Sequence, residues 1–214
     1  MPLLLYRLTI KESHPLIVGV LDYRYLNPFV GVSQTEANLP HWRLARVTYF
    51  VTFRLADSVP QSKLSVWKSE RDRWLSENPK PHDDRQNAEY YDLFSARIEK
   101  WLDAGEGACI LKEFSGRRFV EEALRYFDGE RYELGEYVVA ANHVHVLVSP
   151  NAAYCSSDII HSWKSYSANQ INRAVGHSGV LWQKEYYDHI LRSAHAAYCI
   201  EQYIRRHVEY SNPM

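Results

Sequence analysis

The chain has 214 residues, of which 46% are hydrophobic and 24% are charged, and its formal net charge is −1. This composition is typical of a globular protein and excludes a disordered or fibrous chain. The balance of charges argues against a protein that coats duplex DNA, because neutralising phosphates requires clustered cations. A local basic patch is still compatible with this net charge.

The cysteine pattern and the hydropathy indicate the compartment. Cys109, Cys155 and Cys199 are widely spaced and form no C-x-x-C pair, which predicts free thiols in a reducing environment. The opening stretch MPLLLYRLTIK is interrupted by Arg7 and lacks the basic start and the small-residue cleavage site of a signal peptide. No run reaches the roughly eighteen apolar residues that span a bilayer. We therefore expect a cytoplasmic protein with no membrane segment.

The first half of the chain begins with an N-terminal extension, residues 1–44. Its apolar stretches 3–10 and 16–23 are candidate short strands. The next segment, RVTYFVTFRL at 46–55, is rich in β-branched and aromatic residues and predicts a strand. Residues 61–104 then space apolar side chains three and four apart, which predicts an inserted pair of amphipathic helices separated by a proline-containing loop.

The second half alternates strands and helices. The turn at Ala141-Asn142 predicts a hairpin, because asparagine tolerates the left-handed conformation of tight turns. The predicted elements are helices at 63–77, 88–105 and 115–129, strands at 133–140 and 143–150, a helix capped by Ser156 or Ser157, a strand at 186–192 and a helix at 195–210. This order predicts an α+β fold with helices on one face of an antiparallel sheet.

Two histidines interrupt the apolar strand HVHVLVSP. Because successive strand residues point to opposite faces, His143 and His145 share a face, roughly 6.6 Å apart along the strand. Two imidazoles at that spacing can converge on one metal ion. The pair alone is also compatible with hydrogen-bonded core histidines, or with one ring that faces solvent.

Several segments in the same order resemble the REP-associated tyrosine transposases, which are single-tyrosine HUH endonucleases. The segments are RVTYFVTFRLADS, ALRYFDGERYELGEYVV, VVAANHVHVLVSP and HSWKSYSANQINRAVGHSGVLWQKEYYDHILR, followed by a helix that carries tyrosines. They extend over most of residues 41–208. The resemblance implies a single domain over 1–214 with the extension, the insertion at 61–104 and a catalytic core at 131–208.

This resemblance implies a ferredoxin-like core, a metal-dependent reaction and a DNA substrate. His143 and His145 are expected to hold Mg²⁺ or Mn²⁺ against the scissile phosphate of single-stranded DNA. A tyrosine on the last helix is expected to attack that phosphate, leaving a 5′-phosphotyrosine and a free 3′-hydroxyl. The expected DNA partners are imperfect hairpins, and the expected state is a monomer, with a dimer as the alternative.

The resemblance places the nucleophile at Tyr203, in the family's register from Trp182. His207 lies one helical turn later, on the same helix face, where the family has an amide or acidic metal ligand. His207 is therefore the expected third ligand. Without the resemblance, Tyr203 would be a packed core ring, and His207 a cation near a helix C-terminus.

Cations and aromatic residues surround the expected nucleophile in the sequence. Interleaved cations and aromatic rings are what single-strand recognition uses, since cations follow phosphates and rings stack on unpaired bases. The candidate DNA contacts are Lys164, Arg173, Lys184, Arg192, Arg205, Arg206, Trp182, Tyr186 and Tyr187. The alternative is that the tryptophans Trp163 and Trp182 belong to the core and that Arg205 and Arg206 are solvated helix charges.

The chain departs from the family at three points. Ala141 replaces a proline before the first histidine, His207 replaces an oxygen ligand, and the segment after the tyrosine is short and reads RRHVEYSNPM. These departures leave two other hypotheses open. One is a domesticated protein that binds a DNA hairpin with little or no cleavage. The other is an unrelated histidine–metal hydrolase, in which Tyr203 would have no role.

Overall fold

The computed structural model describes residues 23–25, 33–35, 41–43, 47–176 and 178–211. In the N-terminal extension, β1 (Ser33–Thr35) pairs with β2 (His41–Arg43) as a short antiparallel hairpin. The strands predicted at 3–10 and 16–23 lie outside the described residues, apart from Tyr23.

The centre of the fold is a four-stranded sheet. Its strands are β3 (Tyr49–Arg54), β4 (Tyr132–Val139), β5 (His143–Pro150) and β6 (Tyr187–Ile190). They pair antiparallel in the order β4-β5-β3-β6. Helices connect β3 to β4 and β5 to β6, whereas β4 and β5 form a hairpin. This is the order of a ferredoxin-like sheet, so the predicted α+β class is confirmed.

The helices follow the predicted segments closely. They are α1 (Gln61–Glu77), α2 (Asp84–Tyr90), α3 (Ala96–Asp103), α4 (Phe114–Arg125), α5 (Ser156–Val175) and α6 (Ala194–Ser211). A single π-helical turn, Tyr91–Ser95, joins α2 to α3, so the helix predicted at 88–105 begins earlier and is interrupted. The insertion thus contains α1 and the continuous segment Asp84–Asp103.

Both faces of the sheet are covered by helices. Tyr49, Val51 and Phe53 face a core that also contains residues of α4 and α5. Phe50 points to the opposite face, where it packs with residues of α6 and with Tyr91 of the insertion. The prediction of helices on one face therefore holds for the two crossover helices and is wrong for α6. The physical reason is that the second face also carries apolar side chains, since Phe50, Val138 and Leu147 are buried there with residues of α6.

The hairpin turn before His143 differs from the prediction in one respect. The backbone N–H of Ala140 donates to the carbonyl of His143 at 2.9 Å, so Ala141 and Asn142 form the turn as expected. Among the described residues other than glycine, however, only Cys109 has a positive φ. Asn142 therefore does not use the left-handed conformation, and its fully buried side chain instead bonds to two neighbours.

Two further predictions about the whole chain can be compared with the structure. Cys109, Cys155 and Cys199 are all free thiols, as the cysteine pattern predicted. Within the described ranges, no helix has both the length and the apolar character that crossing a membrane requires.

Candidate functional site

Strand β5 places two histidine rings on the sheet face covered by α6. In the register of the sheet, His145 lies opposite Thr52 and His143 lies opposite Arg54. The rings of His143 and His145 have centroids 4.6 Å apart, and both are buried, with 2% and 1% of their surface exposed. The alternation of the strand thus brings both imidazoles to one point, as the spacing predicted.

Hydrogen bonds orient both rings so that each Nε2 faces the site. His143 donates from Nδ1 to Oδ1 of Asn142 at 2.8 Å, and Nδ1 of His145 lies 2.7 Å from the hydroxyl of Thr52. A proton on Nδ1 leaves Nε2 with a lone pair, which is the form that binds a metal. Nε2 of His143 is buried and has no hydrogen-bond partner among the described residues.

Burial keeps both strand histidines neutral. Burial lowers the pKa of His143 to about 4. Burial, together with the neighbouring rings of His143 and His207, holds the pKa of His145 well below its usual range. Neutral imidazoles with inward lone pairs fit a divalent cation, and the orphaned Nε2 of His143 is the observation that supports this fit.

His207 joins the pair from α6. Ligand atoms of His143, His145 and His207 lie within 4.8 Å of one another, a grouping that could hold a metal ion. Both nitrogens of His207 are already bonded, Nδ1 to the carbonyl of Tyr203 at 3.1 Å and Nε2 to Oδ1 of Asp103 at 3.0 Å. Burial would lower the pKa of His207, but the bond to Asp103 and its charge raise it. His207 must therefore exchange one of these bonds before it can bind a metal.

Tyr203 lies beside the histidines. Its hydroxyl is 3.3 Å from Nε2 of His145, and its ring is half-buried against the rings of Phe50 and His207. Burial, with the charges of Glu99 and Asp103, raises the pKa of this hydroxyl well above its ordinary value. The phenol is thus protonated, and it becomes a nucleophile only when a cation or a base compensates for the loss of its proton.

Seven of the nine candidate DNA contacts fall into three groups. Arg173, Lys184 and Arg192 are exposed. Arg205 and Arg206 are exposed as well, but Arg205 pairs with Glu136 at 2.9 Å, and Arg206 donates to the carbonyl of Gln202 in its own helix. Tyr186 and Tyr187 are half-buried and line a pocket beside the site.

The remaining two candidates have structural partners. Trp182 is 5% exposed, packs edge-on against Phe53 with centroids 4.8 Å apart, and donates its N–H to Ser167. It belongs to the core and offers no face to a base, which corrects its proposed DNA contact in favour of the core alternative. Lys164 donates to the carbonyls of Gln183 and Lys184 at 2.7 and 2.8 Å, and burial lowers its pKa to about 8. Its ammonium group thus holds the loop before β6 through two hydrogen bonds.

Sequence reasoning missed four residues that surround the histidines. Thr52 and Asn142 hold the two strand rings, and Asp103 of the insertion holds His207. Arg54 lies opposite His143 on the same sheet face. The alternation of β3 could have indicated Thr52 and Arg54, since both are polar residues at inward positions. Asp103 had no such signal, because 104 residues separate it from His207.

The buried neutral histidines predict a loss of stability in mild acid. With its pKa near 4 in the folded state and about 6.5 in the unfolded state, His143 binds protons more readily when the chain unfolds. Its contribution, up to about 3 kcal/mol, is present above pH 6.5 and is lost as the pH falls towards 4. Urea unfolding in the presence of a chelator should therefore give a lower midpoint at pH 5 than at pH 7.

A second histidine should contribute to the same acid effect. Burial also lowers the pKa of His189, on β6, to about 4. The His189→Gln variant should show a shallower pH dependence than the unmodified protein. An equal midpoint at pH 5 and pH 7 in the unmodified protein would contradict the prediction.

Asp103 should control the charge of His207. Replacing Asp103 with asparagine removes the carboxylate that stabilises the imidazolium, so the pKa of His207 should fall. An NMR titration of the histidine side chains in the metal-free protein measures this change. Asp72→Asn is the matched control, because Asp72 is exposed and pairs with Arg71. A His207 pKa that is the same in both variants would mean that Asp103 does not hold it.

Comparison with known proteins agrees with the resemblance found in the sequence. Residues 110–207 match the family model described as "Transposase IS200 like". We found no match among curated proteins. A structure of a REP-associated tyrosine transposase bound to a REP hairpin is 13% identical, with a TM-score of 0.34, covering 78% of this chain and 70% of that one. A putative transposase from Deinococcus radiodurans R1 is 16% identical, with a TM-score of 0.32, covering 77% and 93%.

The matched segment contains the hairpin β4–β5, helix α5 and most of α6. It therefore includes all three histidines and Tyr203, whereas Thr52, Arg54 and the insertion lie before it. The match covers a little under half of the chain and supports a DNA-processing role of the transposase kind. Residues 110–207 of this chain are thus similar to the IS200-like transposases.

Proposed function

We propose that this protein is a metal-dependent, single-strand DNA endonuclease and strand transferase in which Tyr203 is the nucleophile. The observation that carries the proposal is the position of the Tyr203 hydroxyl, 3.3 Å from Nε2 of His145 within the cluster that includes His143 and His207. A half-buried phenol next to inward-facing imidazole lone pairs suits phosphoryl transfer better than it suits a packed core.

His143 and His145 would hold the cation through Nε2, with His207 as the third ligand once it leaves Asp103. When bound there, Mg²⁺ or Mn²⁺ would neutralise charge on the phosphate oxygens and favour loss of the phenolic proton. The lone pair of His145 serves either the hydroxyl of Tyr203 or the cation, and not both. The bond between Tyr203 and His145 therefore belongs to the metal-free protein, and it holds the hydroxyl next to the cation position.

The proposed reaction conserves bonds and protons. The oxygen of Tyr203 forms an ester with the phosphorus, and the bond between phosphorus and the 3′-oxygen breaks. The phenol loses one proton, and the released 3′-oxygen gains one. One phosphate diester replaces another, so a 3′-hydroxyl can reverse the step and join a second strand. The ring of Tyr203, held between Phe50 and His207, orients the attacking oxygen.

The DNA strand would follow the exposed cations around α5, β6 and α6. We propose Arg173, Lys184, Arg192 and Arg206 as phosphate contacts, with Arg205 available when it leaves Glu136. Tyr186 and Tyr187 are the proposed stacking partners of unpaired bases. We extend the proposal to imperfect hairpins as the DNA partner and to a monomer as the active form.

A second function, hairpin binding with little cleavage, is favoured by one observation. Both nitrogens of His207 are engaged, and its raised pKa favours the charged ring, which cannot bind a metal. If this state persists with DNA bound, the cation site lacks its third ligand. The protein would then recognise DNA through the same surface without forming an adduct.

An adduct assay separates these functions. The protein is incubated with labelled single-stranded hairpin oligonucleotides from around its own gene, with Mg²⁺, with Mn²⁺ or with a chelator, and the products are run on a denaturing gel. A metal-dependent protein–DNA adduct supports the endonuclease. Specific binding with no adduct under either metal supports the binding protein.

The third histidine should also affect which metal is preferred. A nitrogen ligand in place of an oxygen ligand softens the site, so cleavage should be faster with Mn²⁺ than with Mg²⁺. Rates of adduct formation at equal concentrations of the two metals measure this preference. The His207→Gln variant, which restores an amide oxygen, should reduce the preference for Mn²⁺. Faster cleavage with Mg²⁺ in the unmodified protein would contradict the prediction.

A further inference from the structure

A pocket of about 450 Å³ lies between the helical insertion and the sheet face that carries the histidines. Thr52 and Tyr187 form part of its wall from the sheet, and Trp67 and Lys68 form part of it from α1. Because Thr52 is also the partner of His145, the pocket begins at the histidine cluster. Its volume is in the range of roughly 300–1,000 Å³ found for small-molecule and cofactor sites.

Aromatic side chains line this pocket from two directions. Trp67 and Tyr90 come from the insertion, and Tyr186 and Tyr187 come from β6 and the loop before it. The ring of Trp67 is held in place, because its N–H donates to the carbonyl of Phe94 at 3.1 Å and its ring packs edge-on against that of Phe94. Fixed aromatic rings are the platforms on which unpaired bases stack.

Two cations of the pocket have no anionic partner within the part of the chain that the structure describes. Arg54 is half-buried, and its Nη1 donates to the neutral hydroxyl of Ser58 at 3.0 Å. Burial lowers the pKa of Arg54, and no carboxylate of the described residues offsets that cost. Lys68 is exposed on α1 at the pocket wall. A guanidinium in this position is suited to a phosphate group.

The residues that line the pocket differ from those expected around an inorganic anion, because they include carboxylates. Glu99 also faces the pocket, where it accepts a hydrogen bond from the hydroxyl of Tyr91 at 3.1 Å. A carboxylate repels a phosphate but accepts hydrogen bonds from the exocyclic amino group of a base. Asp72 and Glu185 line the pocket as well, and Asp72 pairs at 2.7 Å with Arg71, another lining cation. Aromatic faces, carboxylate acceptors and the two cations without an anionic partner together match the three parts of a nucleotide better than they match phosphate alone.

We propose that this pocket binds one unpaired nucleotide of the DNA strand, next to the phosphate that Tyr203 attacks. The base stacks among the aromatic side chains, and the phosphate of that nucleotide lies against Arg54 and Lys68. The inference rests on the proposed function, and it gives the insertion at 61–104 a role in DNA binding. The insertion forms the outer wall of the pocket, so the site for the strand is completed by this segment.

The test measures binding of single-stranded DNA without cleavage, in the Tyr203→Phe background and with a chelator present. Oligonucleotides carry 2-aminopurine at successive positions, so that stacking of one base changes its fluorescence. Adding Trp67→Ala should remove the fluorescence change and weaken binding about tenfold, whereas Trp67→Phe, which keeps a ring, should retain both. Val66→Ala is the matched control, because Val66 is 57% exposed and lies outside this pocket.

A second variant tests the pocket independently of any folding defect in Trp67→Ala. Lys68→Glu changes an exposed side chain, and it should weaken binding and reduce the dependence of affinity on salt. If Trp67→Ala and Lys68→Glu both bind as tightly as Val66→Ala, the pocket assignment is overturned. If the unmodified protein nevertheless forms the adduct, the pocket assignment is overturned and the proposed function stands. Weakened binding in both variants supports the pocket, even where the unmodified protein forms no adduct.

Discussion

Replacing Tyr203 with phenylalanine abolishes the covalent protein–DNA adduct and leaves DNA binding intact. The substitution removes one oxygen atom and keeps the ring that packs against Phe50 and His145. The variant loses the 3.3 Å contact with His145 but creates no cavity in the core. We expect no detectable adduct on a denaturing gel with Mn²⁺ or Mg²⁺, and an affinity for single-stranded DNA within about twofold of the unmodified protein.

The matched control for this variant is Tyr198→Phe. Tyr198 lies on the same helix, is 40% exposed and should keep full adduct formation. DNA cleavage that persists in Tyr203→Phe would falsify the nucleophile and would favour a hydrolase that uses a metal-bound water. The change is informative because the two mechanisms predict opposite outcomes for the loss of one hydroxyl group.

Replacing His143 with alanine removes metal binding and, with it, adduct formation. Nε2 of His143 is the inward-facing nitrogen with no partner in the described structure, so it is the ligand most readily available to a cation. Loss of groups that only orient a ligand already weakens metal binding about 10- to 100-fold, so loss of the ligand itself should exceed about a hundredfold. Calorimetric titration with Mn²⁺ measures the affinity, and the gel assay measures the adduct.

His161→Ala is the control for this second change. His161 is exposed on α5, which packs on the sheet face opposite the cluster, and it should have no effect on Mn²⁺ affinity. Circular dichroism verifies that His143→Ala is folded. Mn²⁺ affinity that is unchanged in a folded His143→Ala variant would remove the cation from the proposed mechanism.

Much of the local structure follows from the sequence. The strand at 143–150 was predicted with its observed bounds, because its apolar run ends at a proline and begins after a turn. The helices α1, α4, α5 and α6 match the apolar spacing of three and four residues. Tyr203 and His207 share a helix face for the same geometric reason, one turn apart. Trp163, expected in the core, is 2% exposed.

Contacts between distant segments could not be predicted in this way. Trp182 and Tyr186 are both aromatic residues near the site in sequence, yet the first is buried against Phe53 and the second lines the pocket. No local pattern distinguishes them, because burial depends on which helix lies over each face of the sheet. Likewise, the pattern of the final helix did not predict that it lies on the face opposite α4 and α5.

The sequence by itself determined most of the elements and the shared face of His143 and His145, since these depend on periodicity along one strand or one helix. The prediction that Tyr203 is the nucleophile rests instead on the order of motifs in the family that the chain resembles. Only the tertiary structure decided that Thr52 holds His145, that Asp103 engages His207 and that the insertion forms a pocket beside them. The two hydrogen bonds join residues that are 93 and 104 positions apart. Each face of the sheet packs against a different set of helices. This packing, rather than any local sequence preference, brings the polar residues of distant segments together.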